Sequence, residues 1–316
     1  MYKKKFFTGV LAAAMLIITG CKKDKDNATT VLISTMDISN ISGGSPSDPV
    51  TASGGGDIEV VGAESISERG LVWSTSSKPT TADSKASAGT GKGNFTANLS
   101  GLGFGTTYYV RAYVINNGQT FYGNEKKFIA SVPVELIVNG DFKLPDDGVK
   151  YASINSIPGW KTDEADPGFT GREYDYWRNS GSAYIYDWAK PIYQVVGEVP
   201  ALASDYAIKF DANMSWDPWG DYKPTLHVIF STYTGNDPAT RVALDTVVVP
   251  ETQVYGGWPG QDWGPPKTAS FSIPAASAVA GQKLVIEFDV VPYDGGTFWS
   301  DVWYNFDNIS VIQTLR

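Results

Sequence analysis

Leu102-Gly-Phe-Gly105-Thr106-Thr-Tyr108-Tyr-Val110-Arg-Ala112 is the stretch on which the fold turns. Gly105 and Thr106 read as a turn, and Tyr108, Val110 and Ala112 then fall on one face of an extended strand. Working outward, the same period of two returns far along the chain. Ile208-Lys-Phe210-Asp211 and Ile286-Glu-Phe288-Asp289 each set a polar residue between apolar ones. Gly, Pro, Asn or Asp break the runs at frequent intervals, and helical periodicity is nearly absent beyond the first twenty residues. Short strands punctuated in this way predict an all-β chain made of sandwiches or barrels.

The strands divide into two units. In the first, residues 31–130, they are expected at 31–38, 57–62, 68–74, 93–99, 107–115 and 125–129. Glu68-Arg-Gly-Leu-Val-Trp73-Ser precedes the opening stretch and Tyr122-Gly-Asn-Glu125 follows it. Together these segments resemble the fibronectin type III domain, in the variant common in bacterial surface lipoproteins, with Tyr108 as the tyrosine of its corner motif. Phe104 stands where that family usually has proline. The resemblance implies a sandwich that serves as a spacer. Leu71 and Trp73 alternate with Val72, so Trp73 is expected in the core, and no binding constellation is visible here. Ser131-Val-Pro133-Val makes a short, proline-bearing junction that limits interdomain freedom.

The second unit, residues 135–316, opens with Leu136-Ile-Val-Asn139-Gly-Asp141-Phe142, followed by Ile157-Pro-Gly-Trp160. It closes with Asn305-Phe306-Asp307-Asn308-Ile309-Ser310-Val311. These motifs resemble the galactose-binding-like jelly roll of many carbohydrate-binding modules, in which the first and last strands lie close together. The expected architecture is therefore a fibronectin type III-like sandwich followed by a galactose-binding-like jelly-roll sandwich. Trp160 is expected in the core. Family members often hold a structural calcium ion between the first and last strands, which implies Asn139, Asp141 and Asp307 as ligands. Calcium wants six to eight oxygens, and here Lys143 puts a positive charge where the family often has Glu. No cofactor is required by anything else in the sequence.

Nine of the ten tryptophans lie beyond residue 132. Most crowd into three segments: Trp216-Asp-Pro-Trp219-Gly-Asp-Tyr222, Tyr255-Gly-Gly-Trp258-Pro-Gly-Gln-Asp-Trp263 and Phe298-Trp299-Ser-Asp-Val-Trp303-Tyr304. Here the rings stand among Gly, Pro and Asp, the residues of turns. Flat rings beside acceptor carboxylates suit a sugar, which offers C–H faces and hydroxyls. The expected ligand-binding set is Trp188, Trp216, Asp217, Trp219, Asp221, Tyr222, Trp258, Asp262, Trp263, Trp299 and Trp303. Six strands can be read after residue 201, at 206–214, 225–233, 242–249, 268–273, 283–291 and 306–312. If they run alternately up and down, the three Trp-rich segments emerge at one end. Segments 234–240 and 274–282, at the other end, contain no aromatic residue. The competing reading is that the rings plug the end of the sandwich.

Groups for catalysis are sparse. Asp217, Asp221, Asp262 and Asp301 supply carboxylates, but nothing around them marks the buried setting that raises a pKa for acid catalysis. His227, the one histidine, sits in a strand, Leu226-His-Val-Ile229, where an exposed or satisfied side chain is the ordinary outcome. One histidine and one cysteine build no zinc site. Gly101-Leu-Gly103-Phe-Gly105 leads into a strand rather than a helix, so it is no phosphate loop. Sugar binding without catalysis is the leading expectation. A protein-binding adhesin or assembly subunit stands as the first alternative, a glycoside hydrolase as the second.

The N-terminus reads as a signal over residues 1–20: Lys3, Lys4 and Lys5, then an apolar run over 6–19. Ile18-Thr19-Gly20-Cys21 resembles a bacterial lipobox, which implies that Cys21 is lipidated and anchors the protein to the membrane. Residues 21–30 form a charged tether whose Lys-Asp pattern resembles an outer-membrane surface-export signal. A lipid-anchored protein of the outer membrane, at the cell surface, is expected. Cys21 is the sole cysteine, so no disulfide forms within the chain. The net charge of −9, or −12 once the signal is removed, excludes nucleic acid as a partner and suits neutral polysaccharide. Anchor, tether, spacer and terminal jelly roll together resemble accessory glycan-binding proteins of polysaccharide-uptake systems. That resemblance implies other outer-membrane glycan-uptake proteins as partners.

Overall fold

The computed structural model describes residues 29–43, 49–62, 65–146, 149–165, 170–175, 180–186, 189–215, 225–249, 255–256, 263, 265–291 and 303–316. Signal, Cys21 and most of the tether lie outside them. Among the described residues there is no α-helix; two short 3₁₀ turns interrupt a chain of strands. The protein is all-β, as its alternating pattern predicts.

The first nine strands are β1 (Thr30–Thr35), β2 (Ser39–Ser42), β3 (Val50–Val61), β4 (Ile66–Ser74), β5 (Ser84–Ser87), β6 (Gly93–Leu102), β7 (Thr106–Asn116), β8 (Gln119–Tyr122) and β9 (Lys126–Ala130). They form two sheets. One orders β1-β3-β2 with β6 also on β3; the other orders β5-β4-β7-β8 with β9 also on β7. Leu71, Leu99, Val110, Ala112 and Val114 fill the space between them, and Trp73 joins this core as expected. The Tyr108 hydroxyl accepts the Gly103 N–H at 3.0 Å, which closes the turn that opens β7. Val72 departs from the alternation, being buried like its neighbours. Its register partners are Lys85 and Arg111, whose long stems flank it on both sides.

The second unit contains β10 (Val134–Glu135), β11 (Tyr151–Ser153), β12 (Lys161–Thr162), β13 (Thr170–Asp175), β14 (Ser180–Tyr186), β15 (Ile192–Glu198) and β16 (Ser204–Ser215). It continues with β17 (Thr225–Tyr233), β18 (Val242–Val249), β19 (Tyr255–Gly256), β20 (Lys267–Ile273), β21 (Lys283–Val291) and β22 (Trp303–Leu315). The six strands expected after residue 201 are all present. A larger, eight-stranded sheet orders β11-β13-β14-β22-β16-β19, with β10 on β22 and β20 on β16. A smaller, five-stranded sheet orders β12-β15-β21-β17-β18.

Every second residue of the long strands enters one core: Tyr206, Ile208, Phe210 and Ala212 from β16, Ile286, Phe288 and Val290 from β21, Leu226, Val228 and Phe230 from β17. Trp160 is wholly buried against Phe142 and Phe288, at ring separations of 5.1 and 6.2 Å, and its indole N–H donates to the Asn139 carbonyl at 3.1 Å. The opening and closing segments do lie together. β10 pairs with β22, and the Ile309 N–H donates to the Gly140 carbonyl at 2.9 Å. Gly140 is required there, since a Cβ would fall 1.9 Å from the Ile309 carbonyl oxygen. Between β16 and β22 the register slips: Lys209 faces Ser310 but Asp211 faces Asp307. Asn308, at φ 51°, lies within this bulge.

Candidate functional site

The strand ends define the site. β16 ends at Ser215 opposite Trp303, the first residue of β22, and β14 ends at Tyr186 opposite the same residue. In the smaller sheet β17 begins at Thr225 opposite Val291, the last residue of β21, and Val249 at the end of β18 pairs with Leu226. The strand termini that border segments 187–188, 216–224, 250–254 and 292–302 therefore sit at one end of the sandwich. The aromatic-free connections after β17 and after β20 leave from the opposite end.

Of the expected ligand-binding residues, Trp188, Trp216, Asp217, Trp219, Asp221, Tyr222, Trp258, Asp262 and Trp299 lie outside the described residues, as do Trp177 and Asp301. Trp303 is described only as the first backbone position of β22. Trp263 is partly buried, and its carbonyl accepts from the ammonium of Lys267 at 3.3 Å. Lys267 is itself buried and also donates to the Pro265 carbonyl at 2.7 Å, so it fastens the chain leaving the Trp263 segment to the start of β20.

Below this end, the larger sheet turns a second set of rings and amides away from the core. On β14, Ala183 and Ile185 face inward and Tyr184 faces outward, while Tyr186, at the strand end, also packs against the core. The two tyrosine rings meet edge-on at 6.3 Å and 81°. Tyr184 lies over Gly171, where a Cβ would come within 2.8 Å of the phenol oxygen. Burial, then the neighbouring Tyr186, Glu173 and Tyr151, push the Tyr184 hydroxyl above its ordinary pKa. It stays a neutral donor and acceptor at any physiological pH. Across β22 and β16, register pairs Tyr184 with Asn305 and Asn305 with Asn213. Both asparagines are fully buried although they face away from the core. Asn305 Nδ2 donates to Asn213 Oδ1 at 2.9 Å. No acceptor among the described residues reaches Asn213 Nδ2, and an unmet buried amide costs about 1–3 kcal/mol. The sequence reading missed this row. Its signal was present in Ser182-Ala-Tyr184-Ile-Tyr186, where polar and aromatic residues alternate with core ones.

The smaller sheet's outward face is closed by its own charges. Arg241 Nε donates to Glu287 Oε2 at 2.7 Å and Nη1 to Asp163 Oδ2 at 2.7 Å. Its guanidinium lies 4.1 Å from the centre of the Tyr193 ring. Tyr193 donates to Asp163 at 3.2 Å and Ser231 donates to Glu287. Burial and then Asp163 push the Tyr193 hydroxyl up to about 12. Towards the aromatic end, Asp289 faces His227 across the ladder. Burial raises the Asp289 carboxyl above the usual range, and the imidazole opposite only partly offsets it.

The residues implied as calcium ligands are engaged otherwise. Asn139 spends its amide oxygen on the Leu144 N–H, at 2.9 Å, and its amide nitrogen on the Leu144 carbonyl, at 3.0 Å. Asp141 holds the Lys143 ammonium at 2.9 Å, which keeps its carboxyl below the usual range against the effect of burial. Asp307 accepts the N–H of Asn308 at 2.7 Å. An ammonium already neutralises Asp141, so these side chains do not fit a calcium cage as arranged, and no part of the function proposed below passes through one.

No protein family matches the chain's sequence, and no curated protein does either. Solved structures do. One is the Clostridium thermocellum xylanase 10B fragment with its CBM22-1 and GH10 modules complexed with xylohexaose: 14% identity, TM-score 0.30, covering 49% of this chain and 26% of that one. A structure described as "CBM4 structure and function" is 15% identical, with TM-score 0.30 and coverage of 56% and 99%. The tandem CBM22-1–CBM22-2 of Paenibacillus barcinonensis Xyn10C is 8% identical, with TM-score 0.33 and coverage of 92% and 95%. The chain thus spans about a quarter of the xylanase fragment. Similarity at this distance assigns no ligand.

Proposed function

We propose that the second unit binds neutral oligo- or polysaccharide at its aromatic end, without turning it over. The observation that carries this reading is the gathering at one end of the strand termini that border the Trp-bearing segments. The outward row of Tyr184, Asn305 and Asn213 runs directly beneath it. Rings supply faces for sugar C–H bonds, and amides and carboxylates supply hydroxyl partners. Asp211, Asp307 and Glu173 lie on that same outward face, so a neutral sugar suits it better than an anionic one. In this reading Trp216, Trp219, Trp258 and Trp263 contribute rings to the platform, Trp188, Trp299 and Trp303 are its further members, and Asp217, Asp221, Asp262 and Tyr222 hydrogen-bond sugar hydroxyls. The first unit, as a fibronectin type III-like spacer, holds this end away from a membrane in which Cys21 is lipid-anchored.

A soluble form lacking the first 21 residues, applied to a broad glycan array, tests the reading. Retention of neutral glycans is expected. Trp219→Ala and Trp258→Ala should each lower affinity about tenfold or more while leaving the melting temperature nearly unchanged, as exposed hot-spot rings do. Rings that plug the core would instead cost about 3–5 kcal/mol of stability each. Silence across the array would reject the proposal in favour of a protein partner, and release of sugar products would make the protein a hydrolase. Anchoring has its own check: Cys21→Ala should move the full chain from the detergent to the aqueous phase, and its persistence in detergent would reject lipidation at that residue.

A further inference from the structure

The geometry points to Asn213 as a specificity-determining residue that donates its side-chain N–H to an acceptor oxygen of a neutral sugar unit; this rests on the glycan-binding reading above. Three observations converge on it. Asn213 is fully buried on the outward face of the larger sheet, yet its Nδ2 meets no acceptor among the described residues. Asn305 Nδ2 donates to Asn213 Oδ1 at 2.9 Å, which fixes the orientation of the Asn213 amide and commits Nδ2 as the group left to donate. The pair also lies two residues inside the sheet end, since Ser215 and Trp303 form the last rung.

Chemistry narrows the ligand atom. An amide nitrogen gives only donors, so its partner must accept: a sugar hydroxyl, or the carbonyl of an acetamido group. A carboxylate would also accept, but Asp211 lies two residues away on the same face of β16 and faces Asp307 across the ladder, and both oppose a second anion nearby. Tyr184, paired with Asn305 on its other side, adds a ring wall and a hydroxyl at the same level. The row therefore reads one hydroxyl or acetamido oxygen of a sugar whose ring packs towards the tyrosines. Asn305 acts as the positioning residue.

Asn213→Asp is the discriminating variant. It keeps the shape and the acceptor that Asn305 uses and removes the unmet N–H, but it adds a buried carboxylate near Asp211 and Asp307, so its affinity is read on the folded fraction. Titration calorimetry with the soluble protein and neutral hexasaccharides of xylose, glucose and mannose, with an N-acetylglucosamine oligomer alongside, should show a loss of about tenfold or more in affinity for whichever probe the native protein binds. The melting temperature of this variant should fall, because the new charge is buried, and an uncharged double variant separates that cost from the loss of the N–H. The pair Asn213→Val with Asn305→Val removes both amides and should likewise lose affinity without loss of stability, because it also deletes an unsatisfied donor. Native affinity in either folded variant overturns the assignment of Asn213 while leaving the aromatic end as the site. Native protein that binds none of the probes or array glycans overturns both. A fall in melting temperature at unchanged affinity assigns Asn213 a structural role only.

Discussion

The two sheets of the second unit present opposite kinds of polar surface. On the smaller sheet, Arg241 is shared between Glu287 and Asp163 and stacked on Tyr193, and Ser231 completes Glu287. On the larger sheet, Asn213 accepts from Asn305 while its own side-chain N–H meets no acceptor among the described residues. Both groups are buried on faces that look away from the core. The first has used its hydrogen-bonding capacity on the chain itself and can fasten the connection between β17 and β18. The second retains a donor, which is what a surface needs if it is to recognise something else. A buried polar cluster is thus structural or receptive according to whether its inventory closes.

The largest expected effect falls on the closed cluster. Arg241→Ala strips the cation from Glu287, whose side chain keeps only 6% of its exposure, and should destabilise the protein by about 3–5 kcal/mol in urea unfolding. Its glycan affinity, measured on the folded fraction, should be native. A stability loss under 1 kcal/mol would mean that the cluster is surface decoration and that the contrast between the sheets is false. The uncharged pair Asn213→Val with Asn305→Val makes the converse case, with affinity lost and stability kept.

The smallest effect belongs to Asp289, at the boundary between the closed cluster and the aromatic end. Burial raises its folded pKa above the unfolded value, so its ionisation opposes folding, and the penalty is fully present once pH exceeds the folded pKa. It disappears as pH falls below the ordinary carboxylate range, where both states are protonated. Asp289→Asn should therefore raise the melting temperature slightly at pH 7, with the gain shrinking steadily as the buffer is acidified. A gain independent of pH, or a loss at pH 7 from the broken contact with His227, would show that burial is not the dominant influence at this position.

Much of this architecture was legible in the residues. The long strands β16, β17, β20 and β21 announce themselves because their inner faces are apolar over three or more alternate positions, and β18 and β22 carry the same pattern broken once by a bulge. Among the strands that escaped, β2, β5 and β8 in the first unit and β11, β12 and β19 in the second are two to four residues long and carry mostly small or polar side chains, while the longer β13 and β15 were missed as well. Their extended form is set by neighbours rather than by their own pattern. The same reason hid Asn213 and Asn305. They are 92 residues apart and meet only because the bulge at Asn308 adjusts the register between their strands. Arg241, Glu287 and Asp163 are likewise assembled from three distant segments. Periodicity tells which way a side chain points, but the register that gives it a neighbour is a property of the whole sheet.

β22 has an implication for the order of events during synthesis. It is an interior strand of the larger sheet, bordered by β14 on one side and β16 on the other, with β10 completing its far end. Residues 303–315 are therefore the common neighbour through which the earlier strands of that sheet are joined. Until the ribosome has delivered them, β14 and β16 have no shared partner and the Phe210–Phe306 contact cannot form. The first unit carries no such debt to later sequence, since its sheets draw only on residues 30–130. The first unit can acquire its fold as it emerges, whereas the second must wait for β22.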